Sequence, residues 1–169
     1  MGIRWWRRLA PVLVIALGVG AGLAFAVAAG VRPDPLPVDR TPVPLAGHRP
    51  CADIELYFGT DPGMTRAAAS FRDDVQARLV FVQTKRESWE KLKKIFKDHP
   101  EAQQGIDAAD APAVVEVVPV PGTDLTTYAS QLKTRHPDAQ NVKAVDVDAM
   151  VAAMGKSGQA PKCPRSGEY

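Results

Sequence analysis

Two cysteines and three histidines are all this 169-residue chain offers of thiolate and imidazole metal ligands, and His48, His99 and His136 are scattered without ligand spacing. No metal site is expected from such a set. Also missing are a G-x-S-x-G elbow, an H-E-x-x-H helix and a glycine loop able to cradle phosphate, which leaves no cofactor and no motif-borne enzymatic activity to expect. Neither Cys51, at the end of a proline-rich stretch, nor Cys163, in the tail-like "PKCPRSG", has a plausible general-base partner in the sequence, so nucleophilic catalysis is not expected. Asp53, Glu55, Asp73 and Asp74 fall near strand and helix ends, where carboxylates ordinarily make up the solvated side of an amphipathic scaffold. A basic excess is lacking as well. The net charge of +2 comes from four arginines at positions 4, 7, 8 and 32, which leave 17 basic against 19 acidic residues in 33–169, a balance of −2. A nucleic-acid-binding domain would be basic itself, so nucleic acid is not an expected partner.

What the chain does have begins with an uncharged run of 23 residues, Leu9–Val31. A helix of that length, rising about 1.5 Å per residue, crosses a hydrocarbon layer roughly 30 Å thick. Arg4, Arg7 and Arg8 precede it and a near balance of charge follows, so residues 1–8 are expected in the cytoplasm and the C-terminal body outside it, on the cell membrane as a single-pass protein. Trp5 and Trp6 fit the lipid–water boundary. The alternative is a cleaved signal peptide, because Ala24–Gly30 offers small residues that signal peptidase accepts, although the run exceeds the usual apolar length of such peptides. Residues 32–50 contain six prolines. Proline removes backbone donors, so this segment reads as an extended linker without a sheet ladder, and the domain is expected over 51–155 with a tail at 156–169.

One cysteine stands at each boundary of that domain. Outside the cytoplasm such a pair is expected to form a disulfide, Cys51–Cys163, with two unpaired thiols as the alternative. Between them the pattern doubles. Asp53–Phe58 alternates as a strand; Asp61 as N-cap and Pro62 at the first helical position start a helix whose apolar face holds Met64, Ala67, Ala68, Phe71 and Val75; Arg78–Gln83 is a second strand. Ala113–Val118 opens a second unit, followed by a turn at Pro121-Gly122, a helix from about Asp124 carrying Leu125, Tyr128, Ala129 and Leu132, and a strand at Val142–Val147. Two β-α-β halves predict an α+β fold of the ferredoxin-like type, with a four-stranded antiparallel sheet and both helices on one face.

The two halves are separated by 29 residues, 84–112, where that architecture needs only a hairpin. This insert reads as a helical lobe. Thr84 and Glu87 form a T-x-x-E capping box, and Glu87–Lys91 and Glu90–Lys94 are spaced as i,i+4 ion pairs. Trp89, Leu92, Ile95 and Phe96 line the other side, with Ile106 as the main apolar residue of the short segment able to cover them. So small a cover predicts that the stripe stays partly exposed as a protein-binding surface. The alternatives are a stripe buried as the lobe's own core, or a small sensor or carrier that holds an apolar ligand between sheet and lobe.

The stretches "CADIELYF", "GMTRAAASFRDD", "LVFVQTKRESWEKLKKIFKDHPE" and "APAVVEVVP" together resemble the extracellular domain of the cell-division permease-like protein FtsX, particularly its actinobacterial form. The similarity spans about Cys51–Val147, and its most specific part is the lysine-rich segment ending in "DHPE". The resemblance implies a domain that recruits or regulates a peptidoglycan hydrolase or its activator in the bacterial cell envelope, with the inserted lobe as contact surface and a full-length FtsX as a potential companion. In that family the domain lies between the first two of four membrane helices, whereas one candidate span is found here.

Overall fold

The computed structural model describes residues 36–98, 107–155, 163, 164 and 167. Leu9–Val31, Ile106 and most of the tail lie outside the described residues. No helix among the described residues is long and apolar enough to cross a membrane.

The described chain is α+β, with five strands and four α-helices. The strands are β1 (Asp39–Pro44), β2 (Ala52–Phe58), β3 (Ala77–Gln83), β4 (Ala113–Pro119) and β5 (Asn141–Asp146), and the helices are α1 (Asp61–Ser70), α2 (Lys85–Ile95), α3 (Leu125–Arg135) and α4 (Val147–Ala153). One sheet contains all five strands in the order β1-β3-β4-β2-β5. The pairs β2/β4, β2/β5 and β3/β4 are antiparallel, while β1/β3 is parallel. The expected four-stranded antiparallel sheet is therefore corrected to a five-stranded mixed one.

The added strand comes from the segment whose prolines were expected to forbid pairing. Proline is tolerated at an edge, where one side of the strand has no ladder to donate to. β1 lies at that edge, its register shifts between Asp39 and Val43 around Pro42, and Arg40 Nε reinforces the pairing by donating to the Ala77 carbonyl at 2.8 Å.

Central position explains the unbroken apolar run of β4. All six residues Ala113–Val118 are buried, so both sheet faces are covered there. On the first face, Ile54, Leu56, Phe58, Val80, Val115 and Val117 meet Met64, Ala67 and Ala68 of α1 and Tyr128 and Leu132 of α3. Each large side chain so buried contributes about 1.5–3 kcal/mol relative to exposure.

Helix ends follow local chemistry, with two corrections. The N-cap of α1 is Thr60 rather than Asp61; its hydroxyl accepts from Gly63 N–H at 3.2 Å, and the proline lies within the first turn. The helix stops at Ser70 and continues as a single 3-10 turn, Phe71–Asp73, which leaves Val75 76% exposed instead of on the apolar face. Asp124 caps α3 and His136-Pro137 ends it as the spacing implies. Gly122, at φ +87°, supplies the left-handed backbone of the turn before α3.

The disulfide is formed. Cys51 at the start of β2 is bonded to Cys163 with Cα atoms 5.8 Å apart, and Cys51 N–H donates to the Gly167 carbonyl at 2.9 Å. α4 contributes no buried residue, and Met150 and Met154 are 50% and 60% exposed.

Candidate functional site

The insert supplies α2, which packs on β4. Its start is strongly specified. Thr84 Oγ1 accepts from Glu87 N–H while Glu87 Oε2 accepts from Thr84 N–H at 2.8 Å, the reciprocal capping box that the sequence announces. Lys85 N–H donates to Asp61 Oδ1 at 2.9 Å, and Lys85 Nζ donates to the Gly59 and Ala109 carbonyls at 3.0 and 2.6 Å. Gln83 Nε2 donates to the buried Ser88 hydroxyl at 2.6 Å. The first turn of α2 is thus tied to the end of β3, to the start of α1 and to the chain leading into β4.

Beyond that turn the helix offers its apolar stripe. Trp89, Leu92 and Phe96 are half-buried, while Ile95 is turned outward at 62% exposure. Phe96 is the C-cap rather than a helical residue. Lys93 Nζ stands 6.0 Å from the centre of the Trp89 ring, within the range of a cation–π contact, and also pairs with Glu90 at 2.6 Å. Glu90 therefore uses its i+3 neighbour rather than Lys94, and Glu87 is occupied by the cap. Ile106, the remaining member of the expected surface, lies outside the described residues.

On the sheet face opposite α1 and α3, the second face, lies a group that the sequence does not bring together: Asp53 and Glu55 are expected on a solvated side, yet Asp53, like Asp74 on the first face, is buried. Asp53 and Glu55 of β2 and Glu116 of β4 each place a carboxylate oxygen within 4.8 Å of the other two. Glu55 and Glu116 are directly opposite across the β2/β4 ladder, a placement of like charges that costs stability. Asp53 and Glu116 are nearly fully buried. Burial first, and then the charges of Glu116 and Glu55, push the Asp53 carboxyl up to about 8. Burial and Glu55 push Glu116 up to about 7, opposed by Lys91 of α2. Two carboxyls this close and this buried are reconciled by sharing one proton, because neither can shed its charge to water. Tyr57 donates to Glu55 Oε2 at 2.5 Å, and its own hydroxyl is pushed up by burial and by that carboxylate. Lys143, the cross-strand partner of Glu55 on β5, supplies a second positive charge.

Next to the carboxylates on that face, Leu45, Phe81 and Val118 form a separate small cluster; Phe81 is the cross-strand partner of Glu116, and the His48 ring is stacked on it at 4.3 Å. A cavity of about 150 Å³ adjoins it, lined by Asp39, Thr41, Val43, His48 and three residues of β3. None of its lining comes from the insert 84–112.

On the first face the polar groups are structural. Asp74 accepts from Tyr128 at 2.9 Å, from Gln76 N–H at 2.9 Å and from Arg135. Burial alone would raise its carboxyl, but the bonds from Arg135, Gln76 and Tyr128 together hold it below the usual range. Ser70 Oγ lies 3.4 Å from His136 Nε2, yet its proton goes to the Ala67 carbonyl at 2.7 Å. The imidazole thus meets the oxygen's lone pairs, which is the wrong polarity for a general base acting on a serine. No protein-family model, curated protein or solved structure matches this chain.

Proposed function

We propose that this chain is a non-enzymatic, membrane-anchored extracytoplasmic domain that binds a protein partner through the exposed side of α2, in the manner that resemblance to the FtsX ectodomain implies. The partner would be a peptidoglycan hydrolase or its activator. The observation that carries this reading is the contrast within the apolar set. The first-face core residues named above are at most 4% exposed, whereas Ile95 is 62% exposed and Trp89, Leu92 and Phe96 are half-buried beside it. Aromatic anchors in a partly covered patch are what interfaces draw on for affinity. The finer fold reading is a ferredoxin-like split β-α-β core to which β1 is added at one edge; the order β3-β4-β2-β5 supports it. The carrier reading receives less support, since a pocket for a drug-sized ligand spans roughly 300–1,000 Å³ and the 150 Å³ cavity lies away from the insert.

Two experiments test this. A C-terminal tag on the full chain should be cut by protease added outside cells stripped of their wall, and the chain should stay in the membrane after a carbonate wash; protection from external protease refutes the topology. Crosslinking in intact cells from a photoreactive residue at position 95 should then capture a hydrolase or its activator, and capture of neither refutes the partner.

A further inference from the structure

The buried carboxylates are not used by that function, and on stability grounds they are a burden: an apolar residue at position 116 would extend the run of β4. Their surroundings suggest what they do. Among the described residues the charged groups facing them are Asp53, Glu55 and the Tyr57 hydroxyl from β2, Glu116 from β4, Lys143 from β5 and Lys91 from α2, and the His48 ring lies nearby on Phe81, the cross-strand neighbour of Glu116. Arg78 of β3 carries its guanidinium beside Gly167 instead. With one proton shared, the cluster holds two negative charges against two lysines, and its two most buried carboxyls need no further water. Without that proton, three carboxylates within 4.8 Å of one another need water. Strands β2, β4 and β5 cannot part to admit it, because they are hydrogen-bonded within the sheet. α2, which rests on β4 and is tied down through its first turn, is the element able to yield.

We propose that the proton shared by Asp53 and Glu116 is a latch on α2: while it is held the helix lies closed on the sheet, and its loss loosens the helix beyond Ser88 and bares Trp89, Leu92 and Phe96. Rising external pH is the stimulus, acting across neutrality because burial has raised both carboxyls into that range. Lys91 alone does not offset the change, since its single charge already faces Glu116 in the closed form. For its biological consequence the latch rests on α2 being the binding surface; its test does not.

The test is amide hydrogen exchange on the full chain in detergent, read by mass spectrometry between about pH 6 and pH 9 and corrected for the intrinsic rate at each pH. Protection over 85–96 should fall at least about tenfold, while peptides of α1 and α3 keep theirs, since each tenfold in proton affinity is transmitted as a tenfold change in an opening equilibrium linked to it. Asp53→Asn, which keeps a donor toward Glu116, and separately Glu116→Gln should hold α2 protected and flat with pH. Flat wild-type protection, an equal fall in both variants, or a fall shared equally by α1 and α3 overturns the latch. Capture of the partner at position 95 with flat exchange would refute the latch and keep the binding surface. A working latch with no partner captured would do the reverse.

Discussion

On one face of the sheet, α1 and α3 close over Ile54, Leu56, Phe58, Val115 and Val117, and the polar residues at its margin are fully paired around Asp74. On the other face, the same strands carry Asp53, Glu55, Tyr57 and Glu116, and α2, which packs on β4 and sets Lys91 near Glu116, leaves its own aromatic residues only half-buried. The first arrangement buries apolar residues and pairs its buried carboxylate, Asp74, with Tyr128, Gln76 and Arg135. The second spends buried positions on like charges that one proton must reconcile. Stability alone explains the first face and not the second, which is where a binding or switching role is to be sought.

The contrast is sharpest in what removal should cost, and the disulfide sets its reference because it favours neither face. It joins residues 112 positions apart, for which the chain-entropy account gives up to about 4–5 kcal/mol. A Cys51→Ser variant should therefore fold but melt at much lower denaturant concentration, with helix and sheet signals lost together. Peptide mapping without reductant should show the wild-type cysteines joined. Two thiols open to alkylation in the native protein would contradict the structure.

Next in size is the first face. Leu132 is fully buried between α3 and the sheet, and Leu132→Ala should cost about 3 kcal/mol in urea unfolding by the combined loss of burial and creation of a cavity. It should leave binding per folded molecule unchanged. Trp89→Ala and Phe96→Ala should invert that pattern. Partial exposure limits their cost to about 1 kcal/mol of stability, whereas an aromatic anchor is worth about 2 kcal/mol of binding, or roughly thirtyfold in Kd. A stability loss near that of Leu132→Ala, with unchanged Kd, would make the stripe ordinary core and dissolve the difference between the faces.

The legibility of the sequence follows the same division. Strands β2 to β5, helices α1 and α3 and the capping box of α2 were readable because each is set by local pattern: alternation, i,i+3/i+4 spacing, Thr84 with Glu87. β1 was not, since its prolines argue against a strand until β3 offers a sheet edge where missing donors cost nothing. The carboxylate cluster was half readable. Asp53 and Glu55 alternate on one strand and pass for a solvated face. Glu116 is the lone acid in an apolar run of a strand buried on both sides, a signal available in "AVVEVV" but meaningless until register places it opposite Glu55. Local patterns reveal elements, whereas charge juxtaposition is a property of their pairing.

The smallest effect discriminates between the faces by pH. Asp53 and Glu116 have folded-state values raised above their ordinary 3.8 and 4.5, so their contribution to stability is complete below about pH 4 and is lost as pH rises through 7 and 8. His136, at the edge of the first face, behaves oppositely. Burial and then Arg135 hold its imidazole below its usual value, so its contribution is complete above about pH 6.5 and is lost as acid protonates it. Between about pH 6.5 and 8 only the second face should then move. Each tenfold in proton affinity is worth about 1.4 kcal/mol, but a helix that lifts to admit water caps the penalty, leaving about 1–2 kcal/mol lost across that window in urea titrations. Asp53→Asn should flatten that slope and make the protein more stable than wild type at pH 8. His136→Gln should leave the slope intact and remove only the decline on the acid side. If Asp53→Asn instead lowers stability at every pH and keeps the slope, the cluster is simply a hydrogen-bonded knot and the two faces differ in composition but not in response to protons.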